Sequence, residues 1–331
     1  MPNLGQATGV WADGEFLAFG RLSIRQAPYC RDVAAAYDPA TDAWRRLPGA
    51  PGPVGCFEGG DRAVWTGDEV LLWGVTNTAF DPATETWRRL PEPPAGFGGP
   101  SVIAWTGSLM LGWGGGCCGG AEATGASYDP STNRWKLFPD APLEGRHAMG
   151  TWTGTELVIV GGSGADLATG IPIFADGAAY DPEAKTWRSL ADMPAPREAG
   201  KAFWTGEEVL VVGGENRSGP LLAGVAYDPA GDTWRSLAPA SYPRSAFVGA
   251  WTGEVLVVWG GRVYPQAVPG AGETYDPATD TWTTLPRAPL RARTSPLDGW
   301  TGSELLIFGG WDARSGDPLR DGAVLTPPSS G

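Results

Sequence analysis

The chain predicts an all-β fold assembled from seven similar units, and three observations carry that expectation. A W-T-G-type element occurs seven times, at Trp11 (as WADG), Trp65, Trp105, Trp152, Trp204, Trp251 and Trp300, at intervals of 40 to 54 residues. Each is followed by an apolar run ending in glycine nine residues after the Trp, usually as a doublet: VLLWG, LVIVGG, VLVVGG, VLVVWGG, LLIFGG. Aromatic-Asp-Pro then comes at Tyr37, Phe80, Tyr128, Tyr180, Tyr227 and Tyr275. A second Trp stands seven residues further on in all six cases, at Trp44, Trp87, Trp135, Trp187, Trp234 and Trp282.

Each landmark has a structural reading. Strand A ends at W-T-G, whose glycine turns the chain into strand B, the apolar run. Strand C carries Y-D-P and strand D carries W-R-S-L. The constant seven-residue interval between them marks a tight hairpin, with Asp-Pro-Ala-Thr as its turn chemistry. No stretch shows a helical period. Four-stranded antiparallel sheets repeating every 40–50 residues are the signature of a β-propeller. The register gives one domain over 1–331, with blades near 5–50, 51–93, 94–141, 142–193, 194–240, 241–288 and 289–331. The last unit reads GWTGSELLIFGG, then AVLTP in place of AAYDP, and stops without a D strand. Leu4 already aligns with the start of strand A, so blade seven is expected either to have three strands or to draw its fourth from an upstream segment.

Composition narrows the function. A net charge of −13 argues against a nucleic-acid partner, which demands a positive field. No apolar run approaches the roughly 20 residues of a membrane span. The N-terminus has no charged and apolar leader pattern, so a complete chain implies the cytoplasm and a trimmed leader implies an extracytoplasmic protein. The 50 Gly and 31 Pro come with 17 Trp, which a disordered chain does not carry. The glycines read as strand ends and turns, not as a phosphate loop. Thirteen of the 17 Trp are repeat positions, large apolar surfaces wedged between blades, and Trp73, Trp113 and Trp259 share a further register.

The Gly doublet after an apolar strand, the Tyr and the hairpin Trp resemble the kelch repeat, as found in bacterial kelch proteins and the central domain of galactose oxidase. The resemblance covers nearly the whole chain and implies a seven-bladed kelch-type propeller. In such a propeller the D–A and B–C loops share one face around a central channel. Those loops vary here while the A–B and C–D turns are uniform, so the loop face is where a site is expected.

Four sets of residues fall there. Cys30, Cys56, Cys117 and Cys118 lie in loops of blades one to three, flanking the short B–C loop of blade two. They suit disulfide staples, a thiolate site for zinc or copper(I), or redox exchange, and no further cofactor is expected. Arg146, Arg197, Arg244 and Arg293 recur where strand A begins. In kelch domains that bind acidic peptides, arginines at this kind of position line the pocket, so the resemblance implies an anion-binding mouth, with Arg262 and Trp311 beside it. The sole histidine, His147, and Glu58 and Glu198 sit at the same level as candidates for proton transfer. One histidine cannot build the copper-radical site of galactose oxidase. The first expectation is therefore a monomeric module that binds a small anionic molecule, protein or peptide. The alternatives are a small enzyme similar to bacterial sialic-acid mutarotases, or a metal or thiol site.

Overall fold

The computed structural model describes residues 6–23, 30–51, 62–74, 77–94, 99–116, 120–164, 171–263, 266–267 and 270–327. Its regular structure is all β, arranged as seven antiparallel sheets of propeller-blade type. The chain divides into two compact units, Met1–His147 with Ala165–Gly170, and Ala148–Gly164 with Ile171–Gly331. The first carries blades one to three and the second blades four to seven.

Each sheet runs in chain order from strand A at one edge to strand D at the other. In blade two these are Arg62–Trp65, Val70–Trp73, Thr78–Asp81 and Thr86–Arg89. In blade five they are Glu198–Trp204, Val209–Asn216, Ala223–Asp228 and Thr233–Pro239, with the short Gly219–Pro220 strand added. Blade seven is three-stranded among the described residues: Leu297–Trp300, Leu305–Phe308 and Gly322–Leu325.

The turns form as their chemistry dictates. In the A–B turn of blade two the Thr66 hydroxyl accepts the amides of Asp68 and Glu69, and Gly67 takes φ +105°. In the C–D turn, Asp81 accepts the amides of Ala83 and Thr84 and the Thr84 hydroxyl. The residue two before each strand-D Trp is left-handed: Asp42, Glu85, Asn133, Lys185, Asp232 and Asp280, with φ from 49° to 57°. Asp and Asn tolerate that conformation best. There they also accept the hydroxyl of the Y-D-P tyrosine, as in Tyr37–Asp42, Tyr128–Asn133, Tyr227–Asp232 and Tyr275–Asp280.

Strand B is buried on both faces, which is why it reads as an unbroken apolar run. Its alternate residues serve different neighbours. Val70 and Leu72 pack with Leu17 and Phe19 of blade one, whereas Leu71 and Trp73 pack with Met110 and Tyr128 of blade three. In the second unit Val209 and Val211 join the blade-four cluster and Leu210 and Val212 the blade-six cluster. The core is thus a series of inter-blade clusters. Strand-D tryptophans add polar ties to the preceding blade: the indoles of Trp87, Trp135, Trp234 and Trp282 donate to the carbonyls of Pro48, Pro91, Ala191 and Ala238 at 2.7–2.9 Å. Gly112 is required where the Trp73 ring lies on it, since a Cβ there would sit 2.4 Å from the indole.

Two outcomes follow. Gly112→Ala is expected to cost about 1–3 kcal/mol by overpacking, read from urea unfolding. Asp232 and Asp280 accept the amides of Ala191 and Ala238 as well as tyrosine hydroxyls, and these bonds hold both carboxyls below their ordinary value of 3.8. A depressed folded-state pKa stabilises above the unfolded value, and that stabilisation is lost as pH falls through the folded one. Melting temperature should therefore decline below about pH 4, and the Asp232→Asn/Asp280→Asn variant should show a shallower decline.

Candidate functional site

The strand-A arginines and the glycine doublets turn out to be two halves of one junction. Arg146, Arg197, Arg244 and Arg293 are at most 3% exposed. Their main-chain carbonyls accept the amides of Gly115, Gly162, Gly214 and Gly261, the second glycines of the preceding doublets, at 2.7–3.1 Å. Their side chains reach forward. Arg197, Arg244 and Arg293 donate to the carbonyls of Gly213, Gly260 and Gly309, each sixteen residues on. Arg197 also bonds the Ala223 carbonyl at 2.8 Å and Arg293 that of Asp321 at 3.1 Å, while Arg146 Nε bonds the Glu144 carbonyl at 2.9 Å. Glycine is needed because a Cβ on Gly213 would lie 2.4 Å from the Arg244 carbonyl oxygen and one on Gly214 2.3 Å from that of Glu198. The sequence expectation put these arginines in an anion-binding mouth. The structure places their guanidinium groups inside the loop ends of the blades, on main-chain acceptors.

Charge compensation differs among them. Arg244 forms a buried pair with Glu273, whose carboxylate also accepts the Ser241 amide at 2.8 Å. Arg293 pairs with Asp321 at 2.9 Å. Arg197 donates to carbonyls, and burial draws its pKa down to about 10. Sequence reading missed Glu273. The available signal was a lone carboxylate two residues before the Y-D-P aromatic, where the other blades have Ala35, Thr78, Ala126, Ala178 and Val225.

His147 is exposed at the first residue of strand His147–Trp152. Glu198 is half-buried and faces Glu215 across the A–B pairing of blade five. The next residue, Ala199, has φ +56°, a step repeated at Ala246 and Ser295 with φ +51° and +48°. Arg262 is exposed, its main chain paired with Ser245 at 2.9 Å. Trp311 is half-buried, in the strand Trp311–Asp312 that pairs with Arg293–Thr294. Cys30 begins strand Cys30–Asp38, but its side chain lies outside the described residues, as do Glu58, Cys56, Cys117 and Cys118. Among the described residues no group of three or more His, Cys, Asp or Glu is placed to hold a metal.

Two surface features stand out beyond these. At the loop ends of the second unit Arg217, Arg262 and Arg291 are exposed in connections of blades five and six, and the apolar Ile171 and Leu222 are exposed as well. Arg217 reaches the Ile171 carbonyl at 3.4 Å, and Arg291 lies 3.8 Å from Asp312. At the turn ends of blades two and three, an open groove of about 680 Å³ is lined by Asp68, Glu69, Asp81, Trp105, Ser108 and Asp129. Asp81 and Asp129 there accept amides of their own turns, and Glu69 pairs with Arg88.

No protein-family model matches the chain, and no curated protein matches it. Among the described residues no helix is long and apolar enough to cross a membrane.

The buried pair gives a sharp test of the junction. Glu273→Ala leaves Arg244 charged and buried and should cost about 3–5 kcal/mol, whereas Arg244→Met/Glu273→Leu should recover most of the loss. Urea unfolding of the two variants measures both.

Proposed function

We propose that the protein is a kelch-type binding module that captures an anionic ligand or an acidic peptide at the loop ends of blades four to seven. One observation supports this above the rest. The repeated arginines are engaged in holding the scaffold, and yet a second set, Arg217, Arg262 and Arg291, stands exposed on the loops, Arg217 reaching the main chain of the exposed Ile171. Exposed guanidinium groups, with exposed Ile171 and Leu222 on the same unit, suit a carboxylate-bearing ligand with an apolar part. The doublet–arginine junctions give those loops rigid bases. The order of doublet, Tyr-Asp-Pro and hairpin Trp supports the kelch assignment.

The probe is a fluorescein-labelled peptide alternating Glu with Leu, followed by anisotropy at low salt. The triple variant Arg217→Ala/Arg262→Ala/Arg291→Ala should weaken binding at least tenfold without lowering the melting temperature. Equal binding by the variant would refute the proposal.

The facing pair Glu198 and Glu215 favours a second reading, an acid–base enzyme of the sugar-acid mutarotase kind, because adjacent carboxylates can divide proton donor and acceptor roles. Anomeric exchange of N-acetylneuraminate, followed by NMR, tests it. Acceleration by the wild type that is lost in Glu198→Gln would establish the enzyme, and no acceleration would dispose of it.

A further inference from the structure

Among the described residues, the outer edge of blade seven is paired on one side only. In the other blades strand C is flanked on both sides and almost wholly buried, as in Gly177–Asp181 and Gly272–Asp276. In blade seven the same strand, Gly322–Leu325, pairs only with Leu305–Phe308 among the described residues. It alternates exposed and half-buried residues, and Val324 is 39% exposed. An edge of this kind presents a row of main-chain donors and acceptors to any extended chain.

The chemistry of that chain is written in the other blades. A glutamate in the A–B turn binds an arginine on strand D four times: Glu15 with Arg45, Glu69 with Arg88, Glu156 with Arg188, and Glu208 with Arg235. In blade four the contact is bidentate, both bonds at 2.8 Å. The two partners change together. Blade three has Leu109 and Lys136 at these positions, and blade six has Val255 and Thr283. Blade seven retains the glutamate, Glu304, and among the described residues no strand supplies it with an arginine. Its carboxylate receives the Thr326 hydroxyl at 3.1 Å.

A second requirement comes from the indole bonds. Each strand-D Trp described above donates to the carbonyl just after the final Leu of the preceding blade's strand D: Pro48, Pro91, Ala191 or Ala238. In blade six that position is Pro286, to which no bond from a described residue is seen. In register, a fourth strand would place a Trp opposite Leu325 and an Arg opposite Val324, as Trp187 and Arg188 lie opposite Tyr180 and Ala179.

We propose that the edge Gly322–Leu325 binds, by antiparallel strand addition, an extended partner peptide of the pattern Trp-Arg-polar-Leu, with Glu304 as its arginine receptor. This surface is separate from the loop-end site, and the proposal stands without it.

The test uses the full chain and a synthetic peptide with the sequence of Lys185–Asp192, KTWRSLAD. Titration calorimetry should show one-to-one binding. Hydrogen exchange should show new protection of the amides of Gly322–Leu325 that point away from Leu305–Phe308. Glu304→Gln should weaken binding about two- to fivefold, the scale of a partly solvated ion pair, and replacing the peptide's arginine by glutamate should weaken it further. Glu304→Arg should restore binding to the glutamate peptide, which separates charge recognition from misfolding. Absence of binding, or binding indifferent to both charges, would overturn the proposal. So would protection of these amides before peptide is added, because another segment of the chain or a second copy would then already fill the position.

Discussion

The junction between a glycine doublet and the arginine that begins the next blade is the constraint on which the rest of the structure depends. At Gly213 and Gly214 the chain leaves strand B with φ +66° and +82°, and the Arg244 carbonyl lies against both residues. No side chain fits there, and L residues avoid the conformation. Through its guanidinium the same arginine grips the carbonyl of its own blade's doublet. One residue therefore ties its blade both backwards and to itself. The Trp–carbonyl bonds on strand D do the same at the outer edge. Between the two rows of ties, alternate strand-B side chains are committed to different neighbours.

This arrangement explains why charged side chains are buried in a protein whose surface could hold them. Arginine has enough donors to satisfy several carbonyls that the turn would otherwise leave without partners. Its cost is desolvation, evident in the lowered pKa of Arg197 and in the presence of Glu273 and Asp321 beside two of the others. Exposed arginines on strand D are different. Their pairs with turn glutamates are partly solvated and add little energy individually. What they contribute is matching: each glutamate identifies the strand that belongs at its edge. Arg88 and Arg188 also donate to Tyr128 and Tyr227 of the following blade, at 3.0 and 2.9 Å, so the match extends to the blade interface.

Much of the fold was legible because its determinants are local. Asp-Pro-Ala-Thr dictates its own turn, W-T-G closes on its threonine, and the seven-residue interval sets the hairpin register. The departure of blade seven from the repeat, AVLTP in place of AAYDP, is likewise read directly from the text. The site was far less legible. Arg146, Arg197, Arg244 and Arg293 recur in the text where strand A begins, but spacing does not say whether a guanidinium turns toward solvent or toward a neighbouring carbonyl. The glutamate–arginine matching was visible in principle, as the paired changes at Leu109/Lys136 and Val255/Thr283. It acquires meaning only when turn and outer strand are seen in contact.

The sequence by itself determined the repeat, the four-strand unit and the turn types, because each rests on residues within about a dozen positions of one another. Only the tertiary structure decided which charges are structural and which face solvent. That outcome depends on carbonyls sixteen residues away and on the next blade, where desolvation and hydrogen-bond geometry choose the partner.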